Sequence, residues 1–130
     1  MNSTRPTVAP PRHDIQRDRQ RGQYRARLIS CDNEDDPLDA YDEFVQWTRK
    51  NYDDGDSESG LLELLERATR KFKDDTNYKM DLRYLKIWLL YARQVEEPTV
   101  IYTFLIANGI GTHYSVLYEE YADALEKDGR

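Results

Sequence analysis

DPLDAYDEFVQW, residues 36–47, decides the fold, because it joins a definite helix start to an apolar face that cannot stay exposed. Asp36 suits the N-cap, and Pro37 suits the first helical position, where no amide hydrogen bond is lost. Asp39 sets negative charge at the positive end of the helix dipole. Leu38, Tyr41, Phe44, Val45 and Thr48 then recur at three- and four-residue steps, so they share one side of the helix. That side needs a partner, and the rest of the chain supplies helices of the same kind.

Beyond it, KNYDDGDSESG (50–60) is an acidic turn that Gly55 and Gly60 break, with Asp56, Ser57 or Ser59 placed to cap the next helix. The spacing predicts that second helix from about Leu61 to Lys73, with Leu61, Leu64, Leu65, Ala68 and Phe72 on one face. A third runs from about Asp81 to Gln94, its stripe being Leu85, Trp88, Leu89, Ala92 and Val95. Pro98 opens a fourth, carrying Ile101, Phe104 and Leu105, which Gly109 ends. Thr112 or His113 begins a fifth, with Leu117, Tyr118, Tyr121 and Leu125 inward. No strand pattern competes. Antiparallel pairs beginning at Asp36, Asp81 and Thr112 are spaced by about 45 and about 31 residues, near the 34 of a tetratricopeptide unit. The expectation is an all-α, right-handed superhelix of tetratricopeptide-like hairpins whose third pair is incomplete. Its last helix then has a partly uncovered face, for a missing segment, a partner or a second copy of the chain.

Ahead of this body, residues 1 to about 13 are rich in Pro, Thr and Arg and are expected to be disordered. From Ile15 to Ile29 a weak helical pattern, anchored by Ile15, Tyr24, Leu28 and Ile29, reads as an arm packing on the body. CDNEDD (31–36) reads as a solvated acidic hinge. The division is therefore a basic tail and arm over 1–35 and a helical domain over 36–130. Residues 1–30 carry a net charge of +5 and the remainder −11, within a total of −6. An acidic body repels phosphates, which argues against nucleic acid as a partner. No apolar run approaches the roughly 20 residues of a membrane helix, and the N-terminus has no apolar signal core, so no membrane partner is expected. The single Cys31 forms no internal disulfide; its acidic neighbours raise its thiol pKa, and a free thiol fits a reducing cytosol or nucleus.

Catalytic chemistry finds no foothold. Gly109, Ile110 and Gly111 lack the strand, the third glycine and the lysine of a phosphate loop, so they read as a turn: a helix stop, a residue tucked beneath and a free restart. The carboxylate pairs Asp53–Asp54, Asp74–Asp75 and Glu119–Glu120 lie in turns or on outward faces, where neither partner is desolvated. His13 and His113 are far apart with no Cys neighbour, which argues against zinc. No serine, cysteine or kinase signature occurs, and neither metal nor cofactor is expected.

DPLDAYDEFVQW, SGLLELLERA, YKMDLRYLKIWLLYAR, YTFLIANGIGT and LYEEYADALE together resemble, in order and spacing, the N-terminal domain of the spindle-assembly-checkpoint Bub and Mad proteins, over about Tyr24 to Leu125. The resemblance implies a tetratricopeptide-like module, nuclear and at kinetochores in mitosis, that docks a short helical motif of the kinetochore scaffold protein. Carried onto matching positions, it implies Trp88, Tyr91, Gln94, Ile101 and Tyr102 as contacts. A Trp on a helix stripe is core as readily as socket, whereas Tyr91 and Tyr102 sit off the main inward stripe. The Lys-Glu-Asn box usual in the Mad and BubR branch is absent, which favours the Bub kinase branch. The kinase domain and the segment for the β-propeller Bub partner are absent too, so the chain reads as a fragment or truncated product. Contacts to other checkpoint proteins then belong to segments outside it. Arg25 to Leu28 with Asn33 fits a loose destruction-box pattern, which arises often by chance and is unusable if Leu28 packs in the arm.

Overall fold

The computed structural model describes residues 12–129. The expected disorder falls almost wholly outside them, and the chain is already helical at Arg12. The described residues form six α-helices: α1 (Arg12–Ser30), α2 (Pro37–Asn51), α3 (Leu61–Phe72), α4 (Leu82–Ala92), α5 (Pro98–Ala107) and α6 (Ser115–Lys127). No strand occurs among the described residues. Each of α2 to α5 packs on the next helix, and α2 also reaches α4 across the stack. That is the neighbour pattern of tetratricopeptide-like hairpins, with α2–α3 and α4–α5 as pairs and α6 opening a third.

The α2 face is buried as its periodicity demands, from Leu38 to Thr48. The buried Thr48 hydroxyl of that stripe is satisfied by donating to the Phe44 carbonyl at 2.8 Å. Central α4 is buried on more than one side, adding Tyr84 and Ile87 to the expected stripe, because α2, α3 and α5 all lie against it. In α5 the inward residues are Tyr102 and Leu105. Tyr102, expected off the inward stripe, is only 4% exposed: α6 lies against it, with the Tyr102 and Tyr121 ring centroids 5.7 Å apart. Ile101 and Phe104 are correspondingly only half-buried. α6 starts at Ser115, later than expected, and Tyr118 faces solvent with its hydroxyl donating to the Thr112 carbonyl.

The acidic run is not a solvated hinge. Cys31–Asn33 forms a 3-10 turn with Cys31 fully buried, and burial first, then Asp32, pushes its thiol pKa up. Asp35 stays exposed, but cations hold its neighbours: Arg27 grips Glu34 at 2.8 and 3.1 Å, and Lys71 meets Asp32 at 2.7 Å. Asp36 occupies the N-cap of α2, yet its side chain caps nothing. It accepts instead from Arg83 at 2.8 Å and from the Tyr78 hydroxyl at 2.7 Å. A forked, charge-assisted bond shared with Asp81 outcompetes one cap hydrogen bond, and it ties α2 to α4.

The arm, α1, docks chiefly through polar side chains. Tyr24 stacks on Phe44 at 5.3 Å and Leu28 is buried, but Ile15 and Ile29 face solvent. In their place the Arg17 and Arg21 guanidinium carbons sit 4.3 and 4.6 Å from the Tyr52 ring centroid, and Trp47 Nε1 donates to Gln20 at 3.0 Å. The two cations cover apolar ring surface with the Nε of each buried beneath and the rest of each side chain partly exposed.

Gly109 and Gly111 both adopt left-handed φ, +68° and +69°. Between them Ile110 is fully buried, its amide donating to the Leu105 carbonyl at 2.9 Å, and the Gly111 amide donates to the Lys79 carbonyl at 2.7 Å. The turn thus stitches α5 to the loop before α4. A Cβ on Gly111 would stand 2.6 Å from Leu85 Cδ1, whereas one on Gly109 meets open space. Gly109→Ala should therefore cost about 1 kcal/mol from backbone strain alone, and Gly111→Ala roughly 3 kcal/mol from strain plus overpacking. Urea unfolding of the two variants checks the ranking.

Hydrogen bonding by Arg27 holds the Glu34 carboxyl below its ordinary pKa, and Arg83 does the same for Asp36 and Asp81. A carboxylate with a depressed folded pKa stabilises above its unfolded pKa, about 4, and that contribution is lost as pH falls through the lower folded value. The gap in stability between wild type and Arg83→Met should be widest near neutrality and shrink steadily below about pH 4. Urea midpoints across that range report it, and a pH-independent gap would refute the assignment.

Candidate functional site

Three helices frame an open recess of about 250 Å³. Its walls are Glu66, Thr69 and Arg70 from α3, Trp88 and Tyr91 from α4, and Val100, Ile101 and Phe104 from α5. The floor is aromatic: Trp88 meets Phe104 at 5.3 Å and Tyr91 at 6.0 Å between ring centroids. Trp88 is 6% exposed, so it is a core residue that also forms the floor. Its Nε1 lies beside the Tyr84 hydroxyl without satisfactory hydrogen-bond geometry to any acceptor. Tyr84 in turn donates to the Thr69 carbonyl at 2.5 Å, and burial raises its pKa. Tyr91, Ile101 and Phe104 are half-buried, while Val100 is 56% exposed.

Of the five expected contact residues, the structure brings together Trp88, Tyr91 and Ile101. Gln94 lies past the end of α4, in a separate recess with Thr48, Tyr52 and the loop of residues 53–60. Tyr102 faces a third recess beside Glu120 and Asp123, and burial, then Glu120, raises its pKa. Phe104 and Val100 were not singled out as contacts, and neither were the α3 residues. The signal for the first two lies in PTVIYTFLIA, the α5 sequence, which has ten residues without a charge in a chain that is 34% charged. The α3 wall has no such signature, since it depends on how α3 and α5 splay around α4.

No group of three or more His, Cys, Asp or Glu able to hold a metal occurs among the described residues, and no described helix is long and apolar enough to cross a membrane. His113 is exposed and the His13 side chain lies outside the described residues. Leu28, needed by the destruction-box pattern, is buried in the arm.

The Mad3/BUB1 homology region 1 model matches residues 19–130. The chain belongs to that family. The mitotic spindle checkpoint component mad3 of Schizosaccharomyces pombe is 39% identical over 104 residues, covering 79% of this chain and 34% of the relative. A chain in the crystal structure of the mitotic checkpoint complex superposes with a TM-score of 0.85 at 34% identity, over 95% of this chain and 58% of that one. The conserved N-terminal domain of the mitotic checkpoint component BUB1 superposes with a TM-score of 0.79 at 31% identity, over 89% and 64%. The chain thus spans about a third of its Mad3 relative, and the family match covers its Mad3/BUB1 homology region 1. Relatives of the Mad3, BubR1 and Bub1 kinds all match, and their identities do not favour the kinase branch.

Because Trp88 serves core and floor together, Trp88→Ala should destabilise the domain by roughly 3 to 5 kcal/mol. Tyr91→Ala, at the half-buried rim of the ring cluster, should cost on the order of 1 to 2 kcal/mol. Calorimetric melting separates the two; equal losses would place Tyr91 in the core.

Proposed function

We propose that this domain holds its checkpoint protein at kinetochores, within the nucleus, by gripping a short helical motif of the kinetochore scaffold protein in the α3–α4–α5 recess. The observation that carries the reading is the aromatic floor of Trp88, Tyr91 and Phe104, left open beside an uncharged α5. An amphipathic helix binds by placing apolar anchors one turn apart in such a groove, and rigid aromatic sockets bury much area at little entropic cost. Membership of the Mad3/BUB1 family and the checkpoint names of its relatives support the mitotic setting. Contacts with other checkpoint proteins fall to the remainder of the protein in this reading, and the domain itself performs no catalysis. Tyr102 and Gln94 are not part of the proposed grip, since each faces a different recess.

Tyr91→Ala combined with Ile101→Ala removes two half-exposed anchors without opening the core. The double variant should keep its helicity by circular dichroism and bind tiled scaffold peptides at least about tenfold more weakly, the equivalent of about 1.4 kcal/mol. Unchanged affinity would reject this groove.

A further inference from the structure

Among the eight residues that line the recess only Glu66 and Arg70 are charged, and both stand on α3 one helical turn apart. Glu66 is half-buried, and neither side chain joins an ion pair or hydrogen bond among the described residues. That is unusual here: the half-buried Glu34, Asp36 and Asp81 are gripped by arginines, and the half-buried Asp42, Asp56 and Asp75, which meet no cation among the described residues, each accept a hydrogen bond. An acidic residue four positions before a basic one is also the orientation that best pairs along a helix, yet the two charges remain apart. They form a short dipolar rail along one wall of an otherwise apolar trough.

Resting on the proposed grip, we infer that this rail selects the direction and charge register of the docked helix. The helix runs antiparallel to α3 and sets an acidic side chain against Arg70. One turn later in its own sequence, a basic side chain meets Glu66. Two arguments fix that direction over the reverse. An antiparallel helix meets the Arg70 end first, so its own order is acidic then basic four residues on, which supports helicity in the free peptide by a few tenths of a kcal/mol. The parallel arrangement needs basic then acidic, the poorer order for an isolated helix. Antiparallel axes also bring opposite dipole ends together. The rail therefore acts by complementarity of sign, excluding peptides with an equally apolar face but reversed charges.

The test uses the full 130-residue chain and fluorescent peptides of about twenty residues, roughly 30 Å as helix, tiled across the kinetochore scaffold protein. The tightest-binding peptide is also made with its groove-facing acidic and basic residues exchanged. The protein variant Glu66→Lys with Arg70→Glu leaves net charge unchanged and alters only partly or fully exposed positions. It should bind the original peptide about tenfold more weakly and recover most of that loss with the exchanged peptide, with the effect diminished at about 1 M salt. If the exchanged peptide is no better than the original on the charge-reversed protein, the register is wrong. A peptide that loses affinity on Tyr91→Ala with Ile101→Ala but ignores the charge reversal overturns the rail and leaves the groove standing. One that ignores both variants, or a tiling in which nothing binds, overturns the groove and the rail together.

Discussion

One line of ring contacts joins the hairpins. Tyr41 of α2 meets Phe72 of α3 edge-on at 5.6 Å, Phe72 meets Tyr84 of α4 at 6.1 Å, Tyr84 meets Trp88 at 6.3 Å, and Trp88 meets Phe104 of α5 at 5.3 Å. Edge-to-face pairs contribute about 0.5 to 1.5 kcal/mol each beyond the area they bury, and their geometry is directional. The line therefore fixes how the helices are rotated against one another as well as holding them together. It passes from the deepest residues of the stack to the floor of the recess, so the shape of that floor depends on packing as far back as α2. Asp36, Arg83 and Asp81 clamp the other side of the same stack, where α2 and α4 begin.

The fold was largely legible because each body helix buries a stripe that its sequence spacing displays. What escaped was decided by partners distant in sequence. The local pattern reads Asp36 as a cap, and nothing nearby reveals that Arg83, 47 positions on, makes a better partner. Tyr102 and Ile101 are adjacent and similarly apolar; which one turns inward depends on where α6 lies, and Tyr121 settles it in favour of Tyr102. The arm packs on the body as a helix through Tyr24 and Leu28 as expected, but two of its four expected anchors do not. Ile15 and Ile29 face solvent because part of the surface α1 covers is made of Trp47 and Tyr52, which accept arginine and glutamine as readily as isoleucine. The contact set implied by resemblance split for a related reason, since Gln94, Tyr102 and Tyr91 are near neighbours in sequence yet open onto three recesses.

The charge asymmetry along the chain acquires a structural meaning. Over the described part of the basic N-terminal region, Arg17, Arg21 and Arg27 are not free cations facing an acidic body. They turn inward onto Tyr52 and onto the carboxylates of Glu34, Asp39 and Glu43. Since Arg27 reaches three carboxylates at once, the ordering of a single side chain serves several bonds, which makes the cluster more effective than isolated exposed pairs.

A recess floored by a core tryptophan, if it binds as proposed, has a thermodynamic consequence. Little apolar area of the recess faces solvent when it is empty, because Trp88 contributes its area from beneath and, of the apolar lining, only Tyr91, Val100, Ile101 and Phe104 expose more. Any occupant that covers Trp88 also covers the end of the aromatic line, so it favours the native state over every locally opened form in which α5 lifts from α4. Its affinity for the native state alone adds to the stability of the whole stack as its concentration exceeds its dissociation constant. In the proposed grip binding and folding would share that residue, whereas the α3 charges lie outside the line, where a change of charge leaves the core packing intact.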